Sequence, residues 1–321
     1  MFSIDPIQYR TAEHGDFATE WGPHADVSEW WYATGYLHDE DDRLYSYQYT
    51  LAKRRLPGQE FWVLMLALTD IQAGAHHYAQ EMSPVADPVL LTDTTAQWGS
   101  KAGAVKGPHS MKVFGGDDDW SFDLALDYGK GAYWHCEDGV LRMALPEENE
   151  TTVYYSYPNM PTTGTITIGR KELKVAGKSW FDKQGGPYSE FRRETHWEWF
   201  SLRFDDDEEM MLFSFPQSDY QDGTYIPADG DAQRLNGYTI TPTKFVSAND
   251  MEFSAAWMLD VPGLKEERYV ITPMTDGQLN IAYYEQLCEV RNLAGKRVGL
   301  CFVELLPGVM NERPTSAQMR P

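Results

Sequence analysis

Glu29-Trp30-Trp31-Tyr32-Ala33-Thr34-Gly35-Tyr36-Leu37, the turn Asp39-Glu40-Asp41-Asp42, and then Leu44-Tyr45-Ser46-Tyr47-Gln48-Tyr49 read as one aromatic β-hairpin. Aromatic and β-branched side chains suit a pleated, half-buried strand, and short acidic residues suit the turn between two strands. The pattern returns past the midpoint. There His196-Trp197-Glu198-Trp199-Phe200 precedes the turn Asp205-Asp206-Asp207-Glu208-Glu209 and the run Met210-Met211-Leu212-Phe213-Ser214-Phe215. Two such hairpins, each with a carboxylate among its aromatic residues, imply a duplicated β module.

The segments around them carry strand signals too. Phe61 to Leu68 is continuously apolar, as in a strand buried on both faces. Trp120-Ser121-Phe122-Asp123 alternates, so one of its faces meets water. Gly164 to Ile168 and Glu172 to Val175 form two arms around a Gly169-Arg170-Lys171 turn, with glycine supplying the positive φ. The best short helix candidate is Ala73 to Met82. Many short antiparallel strands with tight turns predict an all-β protein of barrels or sandwiches, and a barrel of about eight strands holds one small ligand. The repeat divides the chain into domains at 1–185 and 186–321, with Gly185-Gly186-Pro187 and the charged Glu190 to Glu194 segment at the junction.

Composition narrows the function. Hydrophobic residues make up 42% and aromatic residues 14% of the 321 positions, enough for a large core. A formal charge of −22 excludes nucleic acid as an expected partner, and acids gathered in turns such as Asp117-Asp118-Asp119 serve solubility. No apolar run is long enough for an integral membrane helix. The start, Met1-Phe2-Ser3-Ile4-Asp5, lacks the basic and apolar regions of a signal peptide, so the expected location is cytoplasmic. Cys136, Cys288 and Cys301 show no metal-ligand spacing, and their odd number argues against a disulfide framework. Cys288 and Cys301 read as buried thiols.

The sharpest chemical candidate is Ser179-Trp180-Phe181-Asp182-Lys183-Gln184. On a strand, Trp180, Asp182 and Gln184 share a face. A carboxyl beside an indole on an apolar face loses hydration and is suited to donating a proton. The plainer reading is an Asp capping a turn before Gly185-Gly186. Glu29, on the face of Trp31, is the second candidate, with Lys53, Arg54 or Arg55 as its partner on the neighbouring strand. Its plainer reading, shared by Glu198, is a solvent-facing or buried hydrogen-bonding residue. Gln48, Tyr155 and Tyr284-Glu285 are polar groups inside aromatic runs, which either line a site or satisfy core hydrogen bonds. Adjacent His76 and His77 point to opposite faces of a strand and make a poor metal pair. No zinc-protease, phosphate-loop, dinucleotide or Gly-x-Ser-x-Gly signature occurs, leaving cofactor-free acid–base work or binding alone.

The Glu29 to Leu37 run followed by Tyr47-Gln48-Tyr49-Thr50 resembles the opening of the hydroxyneurosporene synthase (carotenoid hydratase) and AttH-like family. Gly177-Lys178-Ser179-Trp180-Phe181-Asp182 with Trp197-Glu198-Trp199-Phe200 resembles its central motif, and Tyr284-Glu285, Gly299 and Glu304 its closing strands. The resemblance extends from Glu20 to Pro307. It implies two consecutive lipocalin-like antiparallel β-barrel domains with a ligand cavity in or between them. It further implies a hydratase or lyase acting without cofactor or metal on a C=C bond of a hydrophobic, isoprenoid-like small molecule. Asp182 would be the acid, followed by the basic-then-polar pair Lys183-Gln184; Gly185 stands where relatives often carry an aromatic residue. Glu29 or Gln48 would activate water, and Trp31, Tyr155, Trp180, Trp197 and Trp199 would contact substrate. The rivals are a non-catalytic lipocalin-like binder and a pericyclase.

Overall fold

The computed structural model describes residues 7–8, 15–56, 58–143, 150–188, 197–216, 220–248, 251–264, 266–280 and 284–306, all strands and connecting loops with no helix among them. His196, the Glu190 to Glu194 segment, Met1 to Asp5 and Pro307 lie outside the described residues. A short parallel pair, β1 (Ile7–Gln8) and β2 (His24–Ala25), precedes the first large sheet.

The first sheet is built from β3 (Ser28–Asp39), β4 (Leu44–Leu56), β5 (Gln59–Asp70), β6 (Ala75–Ser83), β7 (Val89–Leu91), β8 (Thr95–Trp98) and β9 (Ala102–Lys106). It continues through β10 (Ser110–Asp117), β11 (Trp120–Asp127), β12 (Tyr133–Trp134), β13 (Val140–Arg142), β14 (Thr151–Ile168) and β15 (Lys171–Gly186). Its order is β6-β5-β4-β3-β15-β14-β11-β10-β9-β8-β7, with β12 and β13 paired to β14. The second sheet holds β16 (Trp197–Phe204), β17 (Glu209–Phe215), β18 (Tyr220–Ile226), β19 (Gln233–Leu235), β20 (Thr239–Ala248), β21 (Met251–Asp260), β22 (Arg268–Pro273), β23 (Tyr284–Asn292) and β24 (Arg297–Leu306). Its order is β19-β18-β17-β16-β24-β23-β22-β21-β20.

The two orders follow one plan. Four strands run outward in reverse chain order, and a late strand returns to lie beside the first of them: β15 beside β3, β24 beside β16. Each sheet curls into an antiparallel half-barrel around its own apolar core, in a compact unit of its own. Inside the first, the Tyr49 hydroxyl on β4 reaches across to the Ala96 carbonyl on β8 at 2.6 Å.

The acidic turns are the same device. Asp42 N donates to Asp39 O (3.0 Å) and Asp207 N to Phe204 O (3.3 Å), and Asp42 and Asp207 take left-handed φ values of 60° and 62°. Asp adopts that region more readily than most residues, which explains acids at both tips. The aromatic-acid clusters are not equivalent along the repeat, however. His38 pairs with Leu44 and Arg203 with Glu209, so alignment on the turns matches Glu198 to Ala33. Glu29 then matches Glu194, outside the described residues.

Burial follows the expected patterns. β5 is buried on both faces from Trp62 onward, and β11 alternates buried and accessible along its length. Ile168 pairs with Lys171, so the β14–β15 turn is the two residues Gly169-Arg170, with Gly169 at φ 62°. The helix expected over Ala73 to Met82 is instead strand β6, paired with β5 from Ala75 to Ser83. The backbone of a strand buried on both faces needs partners on both edges, and that demand outweighs the weak local preference for helix. The three cysteines are free and buried.

At the β3–β15 seam, a Cβ on Gly177 would lie 1.9 Å from the Tyr36 carbonyl oxygen, so this pairing requires glycine. Gly177→Ala is expected to destabilise the protein by about 1–3 kcal/mol or more, read as a lower urea midpoint. A variant as stable as the parent would show that the strands tolerate separation there.

Candidate functional site

Pairing places β15 between β3 and β14, with Asp182 opposite Tyr32 on one side and Ser156 on the other. Alternation divides β15 between two surfaces. Phe181 and Lys183 face the core of the first unit, whereas Trp180, Asp182 and Gln184 face away from it. The outward face is still buried, for Asp182 is only 4% exposed. Trp180 Nε1 donates to Asp182 Oδ1 at 2.5 Å, the Tyr154 hydroxyl to Oδ2 at 3.1 Å, and the Ser156 hydroxyl also to Oδ1. Gln184 Nε2 donates to Thr152 Oγ1 (2.8 Å), and Gln48 Nε2 on β4 to Thr50 Oγ1 (2.6 Å). Gln48 shares this outward face because its neighbours Tyr47 and Tyr49 belong to the core.

Glu29, Trp31 and Tyr155 lie on the opposite, core-facing surface. The fully buried Glu29 carboxylate is held by Lys53 Nζ at 2.8 Å and Lys183 Nζ at 2.6 Å. It also accepts from the His24 backbone N–H at 2.9 Å and meets His24 Nδ1 at 3.1 Å. The other imidazole nitrogen, Nε2, lies 2.8 Å from Glu20 Oε2. Lys53 Nζ donates to the His24 carbonyl as well, and Lys183 Nζ sits 4.1 Å from the centre of the Trp31 ring. The Trp31 indole donates to the Trp21 carbonyl (2.9 Å), and the Tyr155 hydroxyl to that of Phe17 (3.1 Å). A cavity of about 10 Å³, one water in size, is lined by Glu20, His24, Tyr155 and Lys183 among others.

These contacts set the charges. Burial pushes Glu29 up, but Lys183, Lys53 and the His24 hydrogen bond outweigh it and hold the carboxyl well below its usual range. Burial pushes His24 down, but hydrogen bonds to Glu20 and Glu29 outweigh it and raise the imidazole above its usual value. Lys183 is lowered by burial, against the pull of Glu29. The expected partner Lys53 is therefore present. His24 and Glu20 had no signal in the sequence, because His24 opens the two-residue strand β2, too short to show a period, and Glu20 lies in the turn before it.

In the second unit, Glu198 faces the core with Phe200, while Trp197 and Trp199 face away. The Ser254 hydroxyl donates to Glu198, and Trp197 Nε1 donates to Glu304 Oε1 at 2.6 Å.

A family model described as AttH-like matches residues 9–308. The chain belongs to the AttH-like family. The fold of this AttH-like protein is similar to that of an AttH-assigned protein from Nitrosomonas europaea, with TM-score 0.82, 19% identity, and 95% of this chain and 100% of that one covered. It is also similar to kievitone hydratase from Nectria haematococca, with TM-score 0.73, 16% identity and coverages of 96% and 98%. A more distant likeness, TM-score 0.54 at 9% identity with 94% of both chains covered, is to CghA crystallised with Sch210972. At these identities the shared property is the fold. No curated protein matches the sequence. No helix among the described residues is long and apolar enough to cross a membrane.

The charge cluster of this AttH-like chain carries a stability signature. Glu29 titrates lower in the folded than in the unfolded state, so its contribution is present above about 4.5 and lost as pH falls through the folded value. His24 titrates higher when folded, so its contribution is complete below about 6.5 and lost as pH rises through the folded value. The cluster stabilises most between those limits. Glu29→Gln strands two buried ammonium groups and is expected to cost about 3–5 kcal/mol in that window. His24→Gln should flatten the alkaline decline of urea stability; an unchanged slope would remove His24 from the linkage.

Proposed function

We propose that the protein is a cofactor-independent hydratase or related lyase acting on a C=C bond of a hydrophobic, isoprenoid-like substrate. The observation that supports this reading is the Asp182 carboxyl, buried on a face that also carries Trp30, Tyr32, Tyr154 and Trp180. Membership of the AttH-like family and a fold shared with a protein named kievitone hydratase agree with it.

In this mechanism Asp182, in its acid form, gives its proton to one alkene carbon. The π pair becomes the new C–H bond, and the other carbon becomes a tertiary cation. The rings of Trp180 and Tyr32 stabilise that cation by about 0.5–2 kcal/mol each. A water oxygen attacks the cation, and its surplus proton returns to the Asp182 carboxylate. The product has gained H and OH, with no change in oxidation state. Ser156 and Tyr154, whose hydroxyls both donate and accept, accommodate either form of the acid. Gln48 is two strands across and two residues along from Asp182 on the same face, roughly 12 Å away, and is the group that orients the water. Glu29 has no part in this chemistry: it points to the other side of the sheet and is already engaged by two lysines.

A second reading has its own support. The donors from Tyr154, Ser156 and Trp180 also suit a purely structural acceptor tying β14 to β15, in a protein that binds hydrophobic molecules without changing them. The two separate on incubation with a prenylated phenol and a linear polyprene in oxygen-18 water, followed by mass spectrometry. The hydratase reading expects labelled alcohol from the parent, and at least about a hundredfold less from Asp182→Asn with ligand affinity nearly intact. Equal turnover in the Asn variant ends the role of Asp182, and binding of the probes without any labelled product in the parent favours the binder.

A further inference from the structure

We propose that the interior of the second unit is a binding site for a neutral, apolar molecule carrying a carbonyl oxygen, which the Trp257 indole N–H and the Gln286 side-chain amide would receive. On β23, Tyr284 and Cys288 belong to the core, and Gln286 lies between them on the same face, opposite the core residue Val303 of β24. Gln286 is only 3% exposed, and its Nε2 has no hydrogen-bond partner among the described residues. Trp257 on β21 is fully buried in the same core, and its Nε1 also lacks a partner among the described residues. Phe200 connects the two. It pairs through Val303 with Gln286 along one row of the sheet, and its ring meets Trp257 edge-on at 5.3 Å.

Native cores pair almost all their buried polar groups, so two unpaired donors in one interior need an explanation. The core of the first unit pairs most of its own: Tyr47 with Ser179, Tyr49 with Ala96, Trp31 with Trp21, leaving Trp21 Nε1. Both groups in the second unit donate, so the complementary ligand atom is an acceptor oxygen. Around them stand Phe200, Phe253, Val303 and Leu305, which suit an apolar body. An anion would lose its hydration in this apolar interior, which favours a ketone or aldehyde over an acid. The site is independent of Asp182.

The test uses the full chain with nitrogen-15-labelled tryptophan and cyclohexanone as probe. Trp257→Phe identifies the Trp257 indole resonance. On titration that resonance should move downfield and saturate, whereas cyclohexane should leave it in place. Gln286→Leu keeps the volume, removes the unpaired amide and should weaken cyclohexanone about tenfold, the loss of one hydrogen bond, without lowering thermal stability. Asp182→Asn should leave the titration unchanged, which separates failure here from failure of the hydratase reading. A resonance unmoved by the ketone overturns the proposal, and exchange of the indole with water alone assigns the donors to a buried water. Equal affinity in Gln286→Leu overturns it too, and that comparison decides the matter even if Trp257→Phe does not fold.

Discussion

A single carboxylate with no exposed surface, Glu29 on β3, is held between ammonium groups from β4 and β15. An ion buried this way is tolerable only when paired and hydrogen-bonded, so Lys53 and Lys183 are as necessary as Glu29 itself. The cluster joins three adjacent strands and, through His24, fastens the irregular chain ahead of β3 to them. It also fixes what the far side of the sheet presents. With Lys183 committed inward to Glu29, the alternation of a strand sends Asp182 outward, and a slip of one residue would exchange them. The place of the candidate acid thus follows from the electrostatics of a residue that does not touch it.

The second unit repeats the strand order without repeating that cluster. On alignment by the hairpin turns, Ala33 occupies the position of Glu198, and Glu198 takes a hydroxyl, from Ser254, where Glu29 takes two lysines. The outward Trp197 satisfies its indole on Glu304 of the returning strand, two strands meeting through one hydrogen bond. What is duplicated is therefore the path of the chain and the left-handed Asp in each tip. The interior residues have diverged, Ala33 standing in the first half-barrel where Glu198 stands in the second.

The fold was legible where period and turn chemistry agreed. The Glu29 to Tyr49 hairpin, the doubly buried β5, the alternation of β11 and the Gly169 turn all carry local signals that packing reinforces. β6 was not legible, because Ala and Gln in Ala75 to Ser83 favour helix while the demand for a strand comes from β5, a neighbour in space. The same division holds at the site. Alternation was enough to join Trp180 to Asp182 and Glu29 to Trp31. It could not reveal that the two pairs occupy opposite faces, since that depends on which residues of β3 and β15 register together. His24 lay further out of reach, as a strand of two residues shows no period.

Opposite faces change what the aromatic residues can do. One face of the Trp31 ring is covered by the Lys183 ammonium, a cation already supplied by the protein, and its indole N–H is spent on Trp21. A second cation on that ring would meet Lys183 at short range in a poorly hydrated interior, where like charges repel strongly. The aromatic residues of the Glu29 cluster pack around an ion network that leaves room beside it for about one water. The outward face differs in kind. There the Trp180 indole donates to the Asp182 carboxyl, and the Tyr154 hydroxyl, which can both donate and accept, meets its other oxygen. Protonation of a hydrocarbon requires an acid whose neighbours tolerate both of its charge states, a demand that the two ammonium groups fixed on Glu29 oppose and that a hydroxyl such as that of Tyr154 can meet.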